Sequence, residues 1–185
     1  IVSTEKRATK WAKRMKAKIA GAFALGAITA FTKRTHDFVN ELGNVSDRLG
    51  ISNLELSRMH AAFDATGVSI ATGNMALQRF IRRVGEAQVG TGTFKDVLKE
   101  YGIALKDAEG NQRNVVDIFH DYADAIKGIK QPTERARVLM QGLDSEGVQL
   151  GQTLRFGSEG LKRFGDEAQN AGRVLDDKVV EQFQR

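Results

Sequence analysis

Three times in its middle section the chain repeats one short unit, Leu49-Gly50-Ile51-Ser52, Thr66-Gly67-Val68-Ser69 and Tyr101-Gly102-Ile103-Ala104, each at the end of an amphipathic stretch. Glycine takes the left-handed conformation readily just past a helix end, and an apolar residue after it can fold back onto the last turn. Ser52 and Ser69 then restart the chain as N-caps, and Ser52 with Glu55 has the spacing of a capping box. Gly50, Gly67 and Gly102 are therefore expected to be structural turns. The chain reads as a string of short helices.

Between these marks the apolar residues recur at helical spacing: Leu56, Met59 and Phe63; Ile70, Leu77, Phe80, Ile81 and Val84; Phe94, Val97, Leu98 and Tyr101. Such stripes are core faces. Asn114 is placed to cap a helix whose apolar face is Val115, Ile118, Phe119, Tyr122 and Ile126, and Pro132 opens another with Val138, Leu139 and Leu143. Leu161, Phe164, Ala168, Ala171 and Leu175 step by three and four in the last segment, which fits self-association or packing on the N-terminal helix. Asp107-Ala108-Glu109-Gly110-Asn111 reads as a reverse turn, so any β-structure is confined to a small hairpin near 103–114. The expected fold class is all-α.

The N-terminal arm differs in charge. Residues 1–36 hold nine Lys or Arg against one acid, whereas the remainder holds nineteen basic and twenty-two acidic residues, so the net +5 originates in the arm. Lys6, Arg7, Lys10, Lys13, Arg14, Lys16 and Lys18 are candidate contacts to an anionic surface. After them comes an uncharged run, 19–31, with Ala22, Phe23, Leu25, Gly26, Ile28, Ala30 and Phe31. Thirteen helical residues span about 20 Å, short of the roughly 30 Å hydrocarbon core, so this is not a standard spanning helix. It also lacks the short basic region and the cleavage site of a signal peptide. Ala22, Gly26 and Ala30 form a small-residue series that permits close helix association, in protein or in a membrane. A stripe through Ala17, Gly21, Ala24, Ile28, Phe31, Thr35, Phe38, Leu42, Val45 and Leu49 predicts one long helix with a coiled-coil-like seam, with Gly43 a place to bend or stop. Three regions result: a long-helix arm, 1–49; a multi-helix region, 50–157; and a C-terminal helix, 158–185. Without an initial methionine, the chain is expected to be an excerpt or a processed form of something longer.

Reactive chemistry is hard to find. There is no cysteine, hence no disulfide framework, thiolate metal site or thiol nucleophile. His36, His60 and His120 have no second ligand one turn away and are expected at the surface or half-buried. The loop 89–93 has glycines without the Gly-Lys-Ser/Thr ending of a phosphate loop, and reads as a turn with Thr91 or Thr93 as N-cap. The 107–111 turn lacks the ligand spacing of a calcium loop. Asp117, Asp121 and Asp124 fit a solvated face. Arg79, Arg82 and Arg83 are more simply solubilising than phosphate contacts. No catalytic residue, cofactor or metal is expected.

Ser46 to Ser52, Ala61 to Ser69, Ala76 to Phe80, Gly85-Glu86-Ala87, Gly90-Thr91-Gly92 and Leu98 to Asn111, continued by Asp121 to Ile126 and Thr133 to Ala136, form an ordered series. In order and spacing, the series resembles the helical segment of tailed-phage tail tape measure proteins, over roughly residues 20–165. The chain departs from that family at Gly147-Val148-Gln149-Leu150-Gly151-Gln152, where an apolar run with a proline is usual. The resemblance implies a structural and assembly role, not an enzyme: several copies in the lumen of the tail tube, setting tail length and released during genome delivery. It implies as partners the tail tube protein, tail tip or baseplate proteins, tail assembly chaperones and further copies of the chain. It places the protein in the virion and, during infection, at the host envelope. The arm itself leaves two competing readings: a membrane-active module inserting 19–31, and a basic helical nucleic-acid-binding protein for which DNA contact is an expected test.

Overall fold

The computed structural model describes residues 37–184. The expected long arm over 5–42, the apolar run 19–31 and the basic residues from Lys6 to Lys18 therefore lie outside the described residues, apart from the arm's last few positions. The chain divides into two units, Ile1–Glu41 and Leu42–Arg185. Of the first, the described residues 37–41 are helical.

The described part is all-α, with no strand among its residues. Helix α1 covers residues 37–49 and runs through Gly43 without a break. Gly43 is buried, so water does not compete for the backbone that a glycine bares. Phe38, expected on the seam, is 40% exposed, and Val39 takes the buried position with Leu42, Val45 and Leu49. The three-four step is kept, but the buried face is turned by one residue at its start.

Next come α2 (Asn53–Ala65), α3 (Ile70–Gln88), α4 (Phe94–Glu100), α5 (Val115–Gly128) and α6 (Pro132–Leu143), then a 3-10 turn (Asp144–Glu146), α7 (Gly147–Leu154), α8 (Gly157–Asn170) and α9 (Asp177–Gln184). Helix α2 packs chiefly on α8, which also packs on α5, while α7 lies on α6. The centre is aromatic: Phe80 has ring centroids at 5.6 Å from Phe94, 5.1 Å from Phe119 and 5.2 Å from Tyr122, in edge-on or tilted geometry, the arrangements ring quadrupoles favour. Tyr122 is fully buried, and its hydroxyl donates to the Val138 carbonyl at 2.8 Å.

The glycine marks act as backbone devices. Gly50, Gly67 and Gly102 have φ of 64°, 75° and 66°. At the second, Val68 N–H donates to Phe63 C=O at 2.9 Å and Gly67 N–H to Asp64 C=O at 3.1 Å; at the third, Ile103 N–H reaches Leu98 C=O at 2.7 Å. These bonds satisfy carbonyls that a helix end leaves bare. Ile51, Val68 and Ile103 are all buried. Gly90 and Gly172 close α3 and α8 in the same way, with Thr91 and Arg173 as the following residues. Gly172 also corrects the sequence reading of one helix over 158–185: α8 stops at Asn170, so Ala171 and Leu175 are not on it. Its buried face of Leu161, Gly165 and Ala168 packs on α2 and α5 of the same chain.

Ser52, Ser69 and Asn114 cap α2, α3 and α5, and the Ser52–Glu55 capping box is complete. Thr93 sits at the start of α4 but makes no capping hydrogen bond. The 103–114 segment folds back through a single antiparallel bridge, Lys106 to Gln112, around a turn whose Asp107 carboxylate accepts from Asn111 N–H at 2.7 Å.

Candidate functional site

A groove with charged and apolar walls lies between α2, α5 and α8, with a volume of about 460 Å³. Helical spacing brings its walls together. Leu54, Glu55, Arg58 and Met59 come from one face of α2, Val116, Asp117 and His120 from α5, and Leu161, Lys162 and Asp166 from α8. Arg58 closes one end, pairing with Asp166 and donating to Gln169 Oε1 at 2.5 Å. Gly165 makes room for it, since a Cβ there would lie 2.9 Å from Arg58 Nε. Burial holds the half-buried His120 below the ordinary imidazole range, and the Lys162 ammonium adds to the effect against three nearby aspartates. The groove thus sets this imidazole among the carboxylates of Glu55, Asp117 and Asp166, with the Arg58 guanidinium already paired.

A second charged cluster lies where α3 meets the end of α6. Asp144 accepts from Arg79 at 2.7 Å and from Arg83 at 3.4 Å, and Glu146 accepts from Arg79 at 3.0 Å. Arg82 pairs with Glu86 one turn on. Arg79 and Arg83 thus tie α3 to the corner after α6, beyond the solubilising part their spacing implies, while Arg82 stays on the exposed face. A third network joins α4 to α6: Arg137 pairs with Glu100 and Glu134, and Tyr101 donates to Glu134 at 2.7 Å. The hydrogen bonds from Arg137 and Tyr101 pull the Glu134 carboxyl down to about 2.

The aspartates of α5 also do more than face water. Asp121 pairs with Arg113 at 2.8 Å, and Asp124 accepts from both the N–H and the hydroxyl of Ser158, at 2.8 and 2.7 Å. His60, expected near the surface, is buried on the inner face of α2, with Nε2 2.7 Å from Asn74 Oδ1. It shares that face with Leu56 and Met59, and so corrects the expectation of a surface or half-buried histidine. Among the described residues no group of three or more His, Asp or Glu could hold a metal ion, and no helix is long and apolar enough to cross a membrane. Gly50, Gly67 and Gly102 lie at separate turns and form no common site. The seven apolar and seven basic candidates of the arm fall outside the described residues.

What these clusters share is that each ties one helix to another. The signal that sequence reasoning missed is long-range: Arg58, Arg79 and Asp124 find partners more than thirty residues away. A family model described as phage-related minor tail protein matches residues 4–142. No curated protein matches the chain, and no solved structure does.

Proposed function

The chain belongs to the phage-related minor tail protein family, and from that premise we propose that it acts in the tail as a tape measure component. In this reading copies of the chain occupy the lumen of the tail tube, fix the length at which tube polymerisation stops, and leave ahead of the genome. Its partners are the tube protein, tip or baseplate proteins, assembly chaperones and further copies of itself. One observation carries the reading: the family match spans the same residues, 46 to 136, whose ordered motifs resemble tape measure proteins. The tail role itself follows from the family; the ruler is the finer step.

A ruler needs length per residue. A continuous helix supplies 1.5 Å per residue, so 185 residues cover at most roughly 280 Å. In a phage that encodes this chain, in-frame duplication of residues 42–185 is expected to lengthen the tail by up to about 215 Å, read by electron microscopy of purified virions. Unchanged length in viable duplicated virions removes the ruler and leaves the structural tail role.

A second reading is favoured by the arm, where the basic residues Lys6 to Lys18 precede the apolar run 19–31. Such a segment binds anionic bilayers, each basic residue near the surface contributing about 1 kcal/mol. Flotation with anionic vesicles is expected to fall sharply for Lys13→Glu with Lys16→Glu at low salt. Equal flotation of both proteins removes this reading.

A further inference from the structure

Among the described residues one non-glycine has a positive φ: Asp144, at φ 63° and ψ −149°. That region is essentially reserved for glycine, because a Cβ there crowds the adjoining backbone. The chain on either side is helical. Helix α6 leads to Leu143, whereas Glu146, Gly147, Arg155 and Phe156 all have right-handed helical angles around α7. The corner thus rests mainly on Asp144, with Leu143 before it at φ −124° and ψ −4°, in a stretch of 132–154 that is otherwise helix or 3-10 turn.

The corner is also tight and held by charge. A Cβ on Gly147 would lie 2.6 Å from the Leu139 carbonyl oxygen, and one on Gly151 would lie 2.9 Å from the Leu139 side chain, so α7 presses back along α6. Arg79 and Arg83 of α3 grip the Asp144 carboxylate from the far side. The hydrogen bond from Arg79 holds that carboxyl below its ordinary range, as expected of a group tied in its ionised form.

We propose that Asp144 is a two-state corner: bent, it is held in a glycine-like conformation by Arg79 and Arg83; released, it turns right-handed helical and joins α6, the 3-10 turn and α7 into one helix over 132–154. Relief of backbone strain and recovery of the interrupted helical hydrogen bonds favour the straight form. Burial of Leu150 and Leu154 favours the bent one, as do Gly142, Gly147 and Gly151, which are poor helix formers. The bent form therefore dominates in the isolated chain. The corner converts loss of two ion pairs into a change of length, and this inference does not rest on the ruler reading.

The chain has no cysteine, so Thr133→Cys with Gln152→Cys, both at exposed positions, accepts two spin labels cleanly in the full chain. A straight helix separates these positions by about 28 Å, and the bent corner holds them closer. At low salt the unaltered corner is expected to give the short distance. Asp144→Ala removes the ion pairs and leaves the strained geometry unfavourable, so the long-distance population should rise at least fivefold. Asp144→Gly removes ion pairs and strain together, and should keep the short distance. If the Ala and Gly variants give the same distribution, the corner is ordinary ion-paired structure and the inference fails. Should the Ala variant not fold, the unaltered corner read at low salt and at about 1 M salt decides: a long population that does not grow on screening overturns it.

Discussion

Helices α2, α3 and α5 each begin at a side chain that accepts from an N–H two or three residues on, whereas α6, α7 and α8, like the short α4, have no local side-chain cap. The later helices are held from afar. Asp124 on α5 takes the Ser158 N–H at the start of α8, and α7 is seated by the close approach of Gly147 to the Leu139 carbonyl. The family match ends at residue 142, at the last turn of α6. The difference teaches that the first region carries its instructions in neighbouring residues, and that the second borrows them from helices already in place.

Steric change in the second region gives the largest expected effect. Gly147→Ala places a methyl 2.6 Å from a backbone oxygen, which cannot move aside as a side-chain tip could, so a loss of about 3 kcal/mol is expected in denaturant unfolding. A loss below about 1 kcal/mol would mean that α7 is loosely seated. Next comes the distant cap: Asp124→Ala should cost about 1 to 2 kcal/mol, with amide exchange quickening in α8 before α5. Exchange rising equally in both would break the contrast between local and borrowed caps. In the first region, Gly50→Ala and Gly102→Ala meet no atom within 4 Å. Their cost is conformational alone, about 1 kcal/mol, and Asn at either site should cost less. Thermal melts of the four variants check the order.

The smallest effect is one of pH. Glu134 is held at about 2 by hydrogen bonds from Arg137 and Tyr101, below its ordinary value. A carboxyl whose folded pKa is depressed stabilises the fold above its unfolded pKa and loses that contribution as pH falls through the folded value. Melting temperature should therefore decline between pH 4.5 and about 2, less steeply for Glu134→Gln. Parallel declines in the two proteins would place the acid sensitivity elsewhere.

The sequence made the first region legible because its signals are short. A left-handed glycine with an apolar follower and a serine or asparagine before a helical stripe each act within five residues, and each could be located without knowing the partner helix. Gly90 reads only as part of the 89–93 turn and Gly172 not at all, because Thr91 and Arg173 carry no apolar mark, although their backbone bonds are the same. His60 escaped because its partner Asn74 lies on the next helix, across a turn. Lacking a neighbour with which to pair, Asp121 and Asp124 read as solvated face. The groove between α2, α5 and α8 belongs wholly to this long-range class. Leu161 and Ala168 announced a packing face, but nothing local says which helix it meets.

The tie between α2 and α8 sets an order in time. Arg58 and Asp166 are 108 residues apart, and the backbone of Asn53 waits for the Asp177 carboxylate, 124 residues on. At about 5 to 20 residues per second of synthesis, α2 emerges roughly 5 to 25 seconds before the residues that receive it. During that interval its inner face, with Leu56, Met59 and Phe63, can be sheltered only by α3 and whatever else has already left the ribosome. A nascent chain that must not pair with its siblings is most exposed in this window, and slowing translation after α5 should raise aggregation more than slowing it after α8.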